Sequence, residues 1–360
     1  MPQSLLASTA FVYTGPGAGS RSVLSAVESL RRALKPSLIV DTLTTDQLLQ
    51  GEWIKGCRML VMPGGADLPY CRHLNGAGNQ FISDFVKIQG GAYLGLCAGA
   101  YYGCSRVEFE VGSEIEVVGD RELGFYPGIA RGSIYPGFDY QSEKGARAAP
   151  IRFKKSSSSH SSSSSSNSTS NGINGISNCE NRGVAWMECK DYLNGGPGFL
   201  EPPKHPYLEP PRSLGDGGSH GAAVIDYLSL TSCLPQNIEI LATFSDHNNA
   251  AAAVACQVGL GCAVLCATHP ELTPEWLSLP AGAGRSDAVL SSGDLDLDDS
   301  TYKITRGDTV TSTIRSIGVA SEGEGHVESL KRELQEHERG RWHFWRTLLI
   351  AAGLEDVLVE

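Results

Sequence analysis

The chain has 360 residues, 41% of them hydrophobic and 19% charged, which excludes wholesale disorder and fibrous repeats. Its 29 lysines and arginines against 40 aspartates and glutamates give a net charge of −11. An acidic chain without a basic stripe is poorly suited to bind nucleic acid or an anionic membrane surface. Its apolar runs are shorter than a bilayer-spanning helix requires. We therefore expect neither nucleic acid nor membrane among its partners.

Ten cysteines are scattered along the chain, and several lie inside apolar runs, among them Cys256, Cys262 and Cys266. No two cysteines have the two-residue spacing typical of zinc sites or thioredoxin-like motifs. The first apolar run lacks a basic leader and fits a β-strand better than a signal peptide. The sequence thus predicts a cytoplasmic protein with reduced thiols and without a metal or other cofactor.

Strand and helix patterns alternate in the first part of the chain, as is typical of a parallel sheet. The predicted elements are strands at residues 9–13, 38–43, 58–62 and 91–96 and helices at residues 20–34 and 75–88. The fold class predicted from this pattern is α/β, with a mostly parallel sheet flanked by helices.

Beyond the middle of the chain the composition changes. Twelve of the fifteen residues 156–170 are serine, too polar to offset the entropy of ordering, and residues 294–299 form an acidic cluster. We expect one domain over residues 1–360 with disordered insertions at about 154–178 and 281–325. The other predicted elements are strands at 183–187 and 238–243, a loop at 194–221, a hairpin at 250–266 and an amphipathic helix at 326–353.

The most specific local pattern is a cysteine between small residues. Gly95, Cys97 and Gly99 lie where a buried strand is predicted to turn into a helix. Such a turn lifts a nucleophile above the sheet edge, and small neighbours let the backbone pass closely. The amides at the start of the following helix favour a thiolate. The alternative is that Cys97 is one of ten cysteines buried for packing alone.

A nucleophilic cysteine needs a base and a group that orients the base. The best candidates are His269 and Glu271, which directly follow the second strand of the predicted hairpin. The alternative is that His269 is an ordinary loop histidine.

A glycine pair ends another predicted strand. Gly64 and Gly65, followed by Asp67, expose backbone amides at the carboxyl edge of the sheet, where ligands of α/β proteins bind. With the amide of Ala98, they are candidates for an oxyanion hole and for substrate binding. The alternative is a tight turn, which the preceding Pro63 and the glycines form in any case.

Several stretches carry a resemblance to a known family. They are VYTGPG at residues 12–17, VMPGGADLPY at 61–70, LNGAGNQFISDFV at 74–86, GGAYLGLCAGAYYG at 90–103 and VGLGCAVLCATHPEL at 258–272. The chain resembles the class I glutamine amidotransferase-like superfamily, and within it the N-terminal domain of eukaryotic biotin-protein ligases. The resemblance implies a flavodoxin-like fold and a triad with Cys97 as nucleophile, His269 as base and Glu271 as its partner.

Two departures from the family pattern bear on function. Where glutaminases of the superfamily follow the elbow with a His-Gln type of pair, this chain has Ala100, Tyr101 and Tyr102, which puts glutamine in doubt as the substrate. The phosphate loop of a biotin ligase is not found. Arg341 and its neighbours superficially resemble it, but they are predicted to be surface charge beside a core tryptophan in the terminal helix.

Two kinds of function remain open at the level of the sequence. In the first, the chain is a cysteine-dependent amidase or amidotransferase-like enzyme that acts on an unknown small amide or ester. In the second, it is a non-catalytic regulatory or binding module with a protein partner related to biotinylation. The resemblance is to the ligase's accessory domain standing alone, so we do not expect biotin transfer by this chain by itself.

Overall fold

The computed structural model describes residues 8–140, 142–155, 185–201, 237–278 and 323–359. The strands are β1 (Ser8–Tyr13), β2 (Leu38–Leu43), β3 (Cys57–Met62), β4 (Ala92–Leu96), β5 (Cys104–Phe109), β6 (Val117–Asp120), β7 (Tyr126–Gly132), β8 (Arg147–Lys154), β9 (Trp186–Leu193), β10 (Gly198–Leu200), β11 (Ile238–Phe244), β12 (Ala251–Val258) and β13 (Gly261–Cys266). The helices are α1 (Ser20–Ala33), α2 (Thr45–Gln50), α3 (Asp67–Leu74), α4 (Ala77–Lys87), α5 (Ala98–Tyr102), α6 (Gly323–Glu336) and α7 (Glu338–Ala351).

The centre of the molecule is a parallel sheet in the order β2-β1-β3-β4-β13. This is the flavodoxin-like order, with β13 in the fifth position. The predicted α/β fold class, with helices on a parallel central sheet, is confirmed. The predicted hairpin is also confirmed, because β12 and β13 pair antiparallel from Val258 opposite Gly261.

The sheet continues beyond β13 with mostly antiparallel pairs. From β12 it runs through β10, β7, β5 and β6, and β11, β8 and β9 branch from the same strand. Among the described strands of this half, only β5 and β7 pair parallel. Strands β5 to β8 were not predicted, and a glycine or a proline interrupts each of β6, β7 and β8.

Helix α1 covers one face of the central strands with a buried stripe that includes Val23, Val27 and Leu30. Full burial of such a side chain stabilises the folded state by about 1.5–3 kcal/mol relative to leaving it exposed to water. Helix α3 was not predicted, because it contains Pro69; a proline is tolerated there because it lies in the first turn.

The predicted terminal helix is two helices. Helices α6 and α7 are separated at His337, whose backbone leaves the helical range at φ −104° and ψ 9°. Helix α7 buries Phe344 and Trp345 in the main core, whereas α6 contributes Leu330 and Leu334 to a second, smaller cluster. Within the described ranges, no helix is long and apolar enough to cross a membrane.

The two predicted insertions fall almost entirely outside the described residues, as does most of the predicted loop at 194–221. The described part of that loop contains strand β10, which was not predicted. The last residues of the second predicted insertion are described and are helical, because α6 begins at Gly323 and the insertion was predicted to end at about 325.

Candidate active site

Three neighbouring strands end at one edge of the sheet and carry the predicted site residues there. Strand β4 leads into Cys97, β3 into Gly64 and Gly65, and β13 into the turn that holds His269 and Glu271. Because these strands are parallel, their carboxyl ends meet. The structure therefore brings together residues far apart in sequence.

Cys97 lies on a sharp turn between β4 and α5. Its φ of 48° and ψ of −100° are unusual for a residue with a side chain, as expected of a strained nucleophile elbow. A hydrogen bond of 2.8 Å from its amide to the carbonyl of Cys266 fixes the turn to β13. A Cβ atom at Gly99 would lie 2.0 Å from the carbonyl oxygen of Met62, so the turn needs a glycine there.

His269 and Glu271 form a buried pair. Nδ1 of His269 lies 2.7 Å from Oε1 of Glu271, and the Cys97 side chain also interacts with the imidazole. Burial acts to lower the pKa of His269, but the neighbouring Glu271 carboxylate and Cys97 together raise it to about 10. The pairing with Glu271 therefore favours the protonated imidazole at neutral pH.

Ser22 of α1 connects two of the predicted elements. Its hydroxyl donates to Oε1 of Glu271 at 3.1 Å and accepts the amide of Gly64 at 2.8 Å. The Gly64 amide is therefore already engaged and, contrary to the expectation from the sequence, is not free to donate to an oxyanion. Its part in the site is steric, because a Cβ atom at Gly64 would lie 2.3 Å from Cε1 of His269.

The other two predicted amides remain open. Within the described residues, the backbone N–H groups of Gly65 and Ala98 donate no hydrogen bond. They lie at the ends of β3 and β4, and their part in an oxyanion hole stays a prediction.

Asp67 is placed differently from the expectation. Oδ2 of Asp67 receives two hydrogen bonds from Arg121, at 2.6 and 2.9 Å. Arg121 also donates to the carbonyls of Gly119 and Asp120. The pair joins the start of α3 to the end of β6, and contact of Asp67 with a substrate stays a prediction.

Arg341 was expected at the surface and is instead 3% exposed. Its Nε donates to Oδ1 of buried Asp191 at 2.6 Å, and its Nη2 donates to the carbonyls of His269 and Leu272. The guanidinium of α7 thus fastens the turn that carries the candidate base to β9.

The segment between β9 and β10 covers Cys97, which is 7% exposed. Sγ of Cys97 lies 3.8 Å from the carbonyl oxygen of Asn194. Tyr101, which stands where a glutaminase has a His-Gln type of pair, donates its hydroxyl to the carbonyl of Gly195 at 2.9 Å. The tyrosine that departs from the family motif thus has a structural role, because its hydrogen bond to Gly195 fixes the segment that covers Cys97.

Sequence reasoning missed Ser22, Asn194 and Arg341. The serine spacing on α1 offered a signal, since Ser22 and Ser29 both contact Glu271, the latter at its carbonyl. Asn194 and Arg341 gave none, because their roles depend on loops and helices that meet only in the fold. No group of three or more His, Cys, Asp or Glu side chains in the described ranges is arranged to hold a metal.

Comparison with known proteins identifies the relatives of the chain. The sequence model of a family described as "Biotin-protein ligase, N terminal" matches residues 8–178 and 228–357. A biotin–protein ligase from Schizosaccharomyces pombe (strain 972 / ATCC 24843) is 31% identical over 267 residues, which cover 73% of this chain. The match spans 33% of that ligase, so the chain corresponds to about a third of its relative.

Two further similarities are more limited. An uncharacterized protein from Chlamydia muridarum (strain MoPn / Nigg) is 39% identical over 145 residues, which are 39% of this chain and 56% of that protein. A crystal structure of a glutamine amidotransferase matches with a TM-score of 0.39 at 15% identity, over 75% of this chain and 99% of that one.

Proposed function

The chain belongs to the biotin-protein ligase N-terminal domain family, and on that premise we propose that Cys97, His269 and Glu271 form a triad that cleaves a small amide or ester. The observation that supports this most is the buried His269–Glu271 pair at 2.7 Å beside a cysteine on a strained elbow. The pKa of His269 is strongly perturbed by specific partners, and perturbed groups of this kind cluster at functional sites.

The reaction that fits this arrangement is acyl transfer through a thioester. The Cys97 thiolate attacks the carbonyl carbon, and the resulting oxyanion accepts the amides of Gly65 and Ala98. The imidazolium of His269 gives its proton to the leaving amine or alcohol as the tetrahedral intermediate collapses. Water then attacks the thioester, and His269 takes its proton. This releases the acid and restores the imidazolium–thiolate pair.

Glu271 and Ser22 position the base in this scheme. Glu271 Oε1 holds Nδ1 of His269 and receives the Ser22 hydroxyl, so the imidazole keeps the orientation that directs its other nitrogen to the nucleophile. Neither residue contacts the reacting carbonyl.

Trapping of the thioester tests this proposal. With p-nitrophenyl acetate, the wild-type chain should acquire one acetyl group on Cys97, read by peptide mass spectrometry, and release p-nitrophenol in a burst. Cys97→Ser should lose the thioester, and His269→Gln should slow acylation about a hundredfold or more, as expected when a general acid–base is removed. Cys71→Ser is the matched control. Acetylation spread evenly over the cysteines would contradict the proposal.

A second candidate function is favoured by the cover over the site. Cys97 is 7% exposed beneath Asn194, and Tyr101 holds that cover by its hydrogen bond to Gly195. These contacts fit a regulatory or binding module that retains the triad without turnover and acts on a partner related to biotinylation. Absence of both acylation and burst, with Cys97 still selectively reactive towards small electrophiles, favours this candidate.

A further inference from the structure

A second cluster of buried polar side chains lies beside the triad. We propose that Arg21, Glu143, Tyr192 and Asn194, here called the subsite cluster, bind a neutral carboxamide-type group of the substrate, one that offers both an N–H donor and a C=O acceptor. The inference deepens the proposed function and rests on it, because it names the chemistry of the molecule that would reach Cys97.

The cluster is built around one ion pair. Nη2 of Arg21 lies 2.7 Å from Oε1 of Glu143 and donates to the Tyr192 hydroxyl at 3.0 Å. The Tyr192 hydroxyl donates to Oε2 of Glu143 at 2.5 Å, and Nδ2 of Asn194 donates to the same oxygen at 3.5 Å. The exposed fractions of the Arg21 and Glu143 side chains are 14% and 8%.

Two polar atoms of the cluster are left over. Nη1 of Arg21 and Oδ1 of Asn194 are buried and have no hydrogen-bond partner within the described residues. Asn194 as a whole is only 8% exposed. A buried donor or acceptor without a partner costs about 1–3 kcal/mol, so a cluster with a purely structural role would be expected to satisfy both atoms.

Contacts to the triad place the cluster at the reaction site. The backbone oxygen of Asn194 faces Cys97 Sγ at 3.8 Å. The Tyr192 ring packs edge-on against the His269 ring with their centroids 5.6 Å apart, and the Tyr192 carbonyl accepts the amide of His269. A group bound to the cluster would therefore belong to the same molecule whose carbonyl lies at Cys97.

Charge favours a neutral ligand. The positive charge of Arg21 is already matched by Glu143, so neither a carboxylate nor an ammonium group would find an uncompensated partner. Desolvating such an ion at a buried site is unfavourable without one. The two atoms without a partner are one N–H donor and one oxygen acceptor. A carboxamide offers the matching groups, because its oxygen accepts and its N–H donates.

Three probes of nearly equal shape test this inference: propionamide, propionate and propylammonium. Each is titrated against the rate at which methyl methanethiosulfonate modifies Cys97, and protection is the ratio of rates without and with the probe in the same variant. Propionamide should protect the wild type at concentrations about tenfold below those of the two ions, the factor expected for one or two hydrogen bonds. Equal protection by all three probes, stronger protection by an ion, or no protection would overturn the inference.

Two variants locate the effect. Asn194→Ala removes the open acceptor, and Arg21→Met combined with Glu143→Gln removes the open donor without leaving a buried charge unpaired. In both, propionamide protection should fall about tenfold, and it should be unchanged in the control Asn237→Ala, whose exposed side-chain amide donates to the carbonyl of Gln257. Persistence of protection in both variants would contradict the assignment.

A binding readout that does not use the nucleophile separates this inference from the proposed function. Propionamide should raise the Tm of the wild type and not that of Asn194→Ala, since a ligand stabilises the state it binds. If Cys97 proves unreactive while this Tm shift is present, the triad proposal fails and the subsite stands. If Cys97 is reactive and the shift is absent, the subsite fails alone.

Discussion

At the scale of single residues, the charge on His269 decides what the site can do. The residue is 7% exposed, and burial alone would keep the imidazole neutral. Glu271 at 2.7 Å and the neighbouring Cys97 reverse this effect and raise the pKa to about 10. The same pairing that charges the imidazole also orients it, so the chemistry and the stability of the site depend on one contact.

This pairing predicts how stability depends on pH. The folded-state pKa of His269 is about 10 against an ordinary 6.5, so the stabilising contribution is fully present below pH 6.5 and is lost as pH rises to 10. The free energy of unfolding of the wild type minus that of His269→Gln should therefore decrease over this window, as measured by urea denaturation at a series of pH values. A difference that stays constant or grows with pH would show that the imidazole is not held as a cation.

Residues inside a local motif were predictable, and residues that act across the fold were not. Cys97, His269 and Glu271 each follow a strand with a recognisable pattern, and the structure places all three together. The amide of Gly64 was assigned wrongly, because its partner Ser22 lies on a helix before it in the chain and reaches it only through tertiary packing. Whether Gly65 and Ala98 act on an oxyanion stays a prediction.

At the scale of elements, helix α7 supports the candidate base from outside the sheet edge. Arg341 joins buried Asp191 on β9 to the carbonyl of His269, so the turn after β13 is held by an ion pair and not only by its own backbone. Helix α7 therefore contributes to the geometry of a site to which it supplies no reacting group.

Replacement of Arg341 tests that role. Arg341→Met should destabilise the fold by about 3–5 kcal/mol, because it leaves the carboxylate of Asp191 buried without its partner. The double variant Arg341→Met with Asp191→Asn should recover part of the stability but not the rate of Cys97 modification, because the turn stays unfastened. Arg339→Met, an exposed change two residues earlier in α7, should stay within about 0.5 kcal/mol of the wild type. Full recovery of the rate in the double variant would mean that Arg341 does not position His269.

The elements themselves were predicted where local periodicity is strong. Strands β1 to β4 are short and apolar, and segments with the apolar spacing of helices lie between them. The hairpin of β12 and β13 has glycines at its turn. Strands β6 to β8 escaped prediction because a glycine or a proline interrupts each of them, and β7 and β8 also pair with β10 and β11, far along the chain. The break at His337 escaped because apolar positions continue across it.

At the scale of the whole molecule, one sheet joins strands from residues 8–154 to strands from residues 186–266. Strand β4 pairs with β13, and β7 pairs with β10, across the segments outside the described residues. We propose on this basis that residues 1–360 form a single domain, interrupted by the serine-rich and acidic insertions predicted from the sequence.

Limited digestion with subtilisin tests the single-domain proposal. Cleavage should concentrate within residues 156–178 and 281–322, whose composition is too polar to form a core, and the fragments should stay together in size-exclusion chromatography because their strands interleave. The wild type at high salt serves as a control against association by charge alone. Release of two separately stable bodies would contradict a single domain.

Selective modification of Cys97 tests the central claim most directly. With limiting iodoacetamide at about pH 6.5, an ordinary thiol is mostly protonated, and burial raises the pKa of Cys71 to about 11 and that of Cys104 well above its usual value. Cys97, beside the charged imidazole, should therefore be labelled first in peptide mass spectrometry, and His269→Ala should slow that labelling. If Cys97 reacts no faster than Cys71 or Cys104, Cys97 is not an activated nucleophile and the proposal of a catalytic triad is wrong.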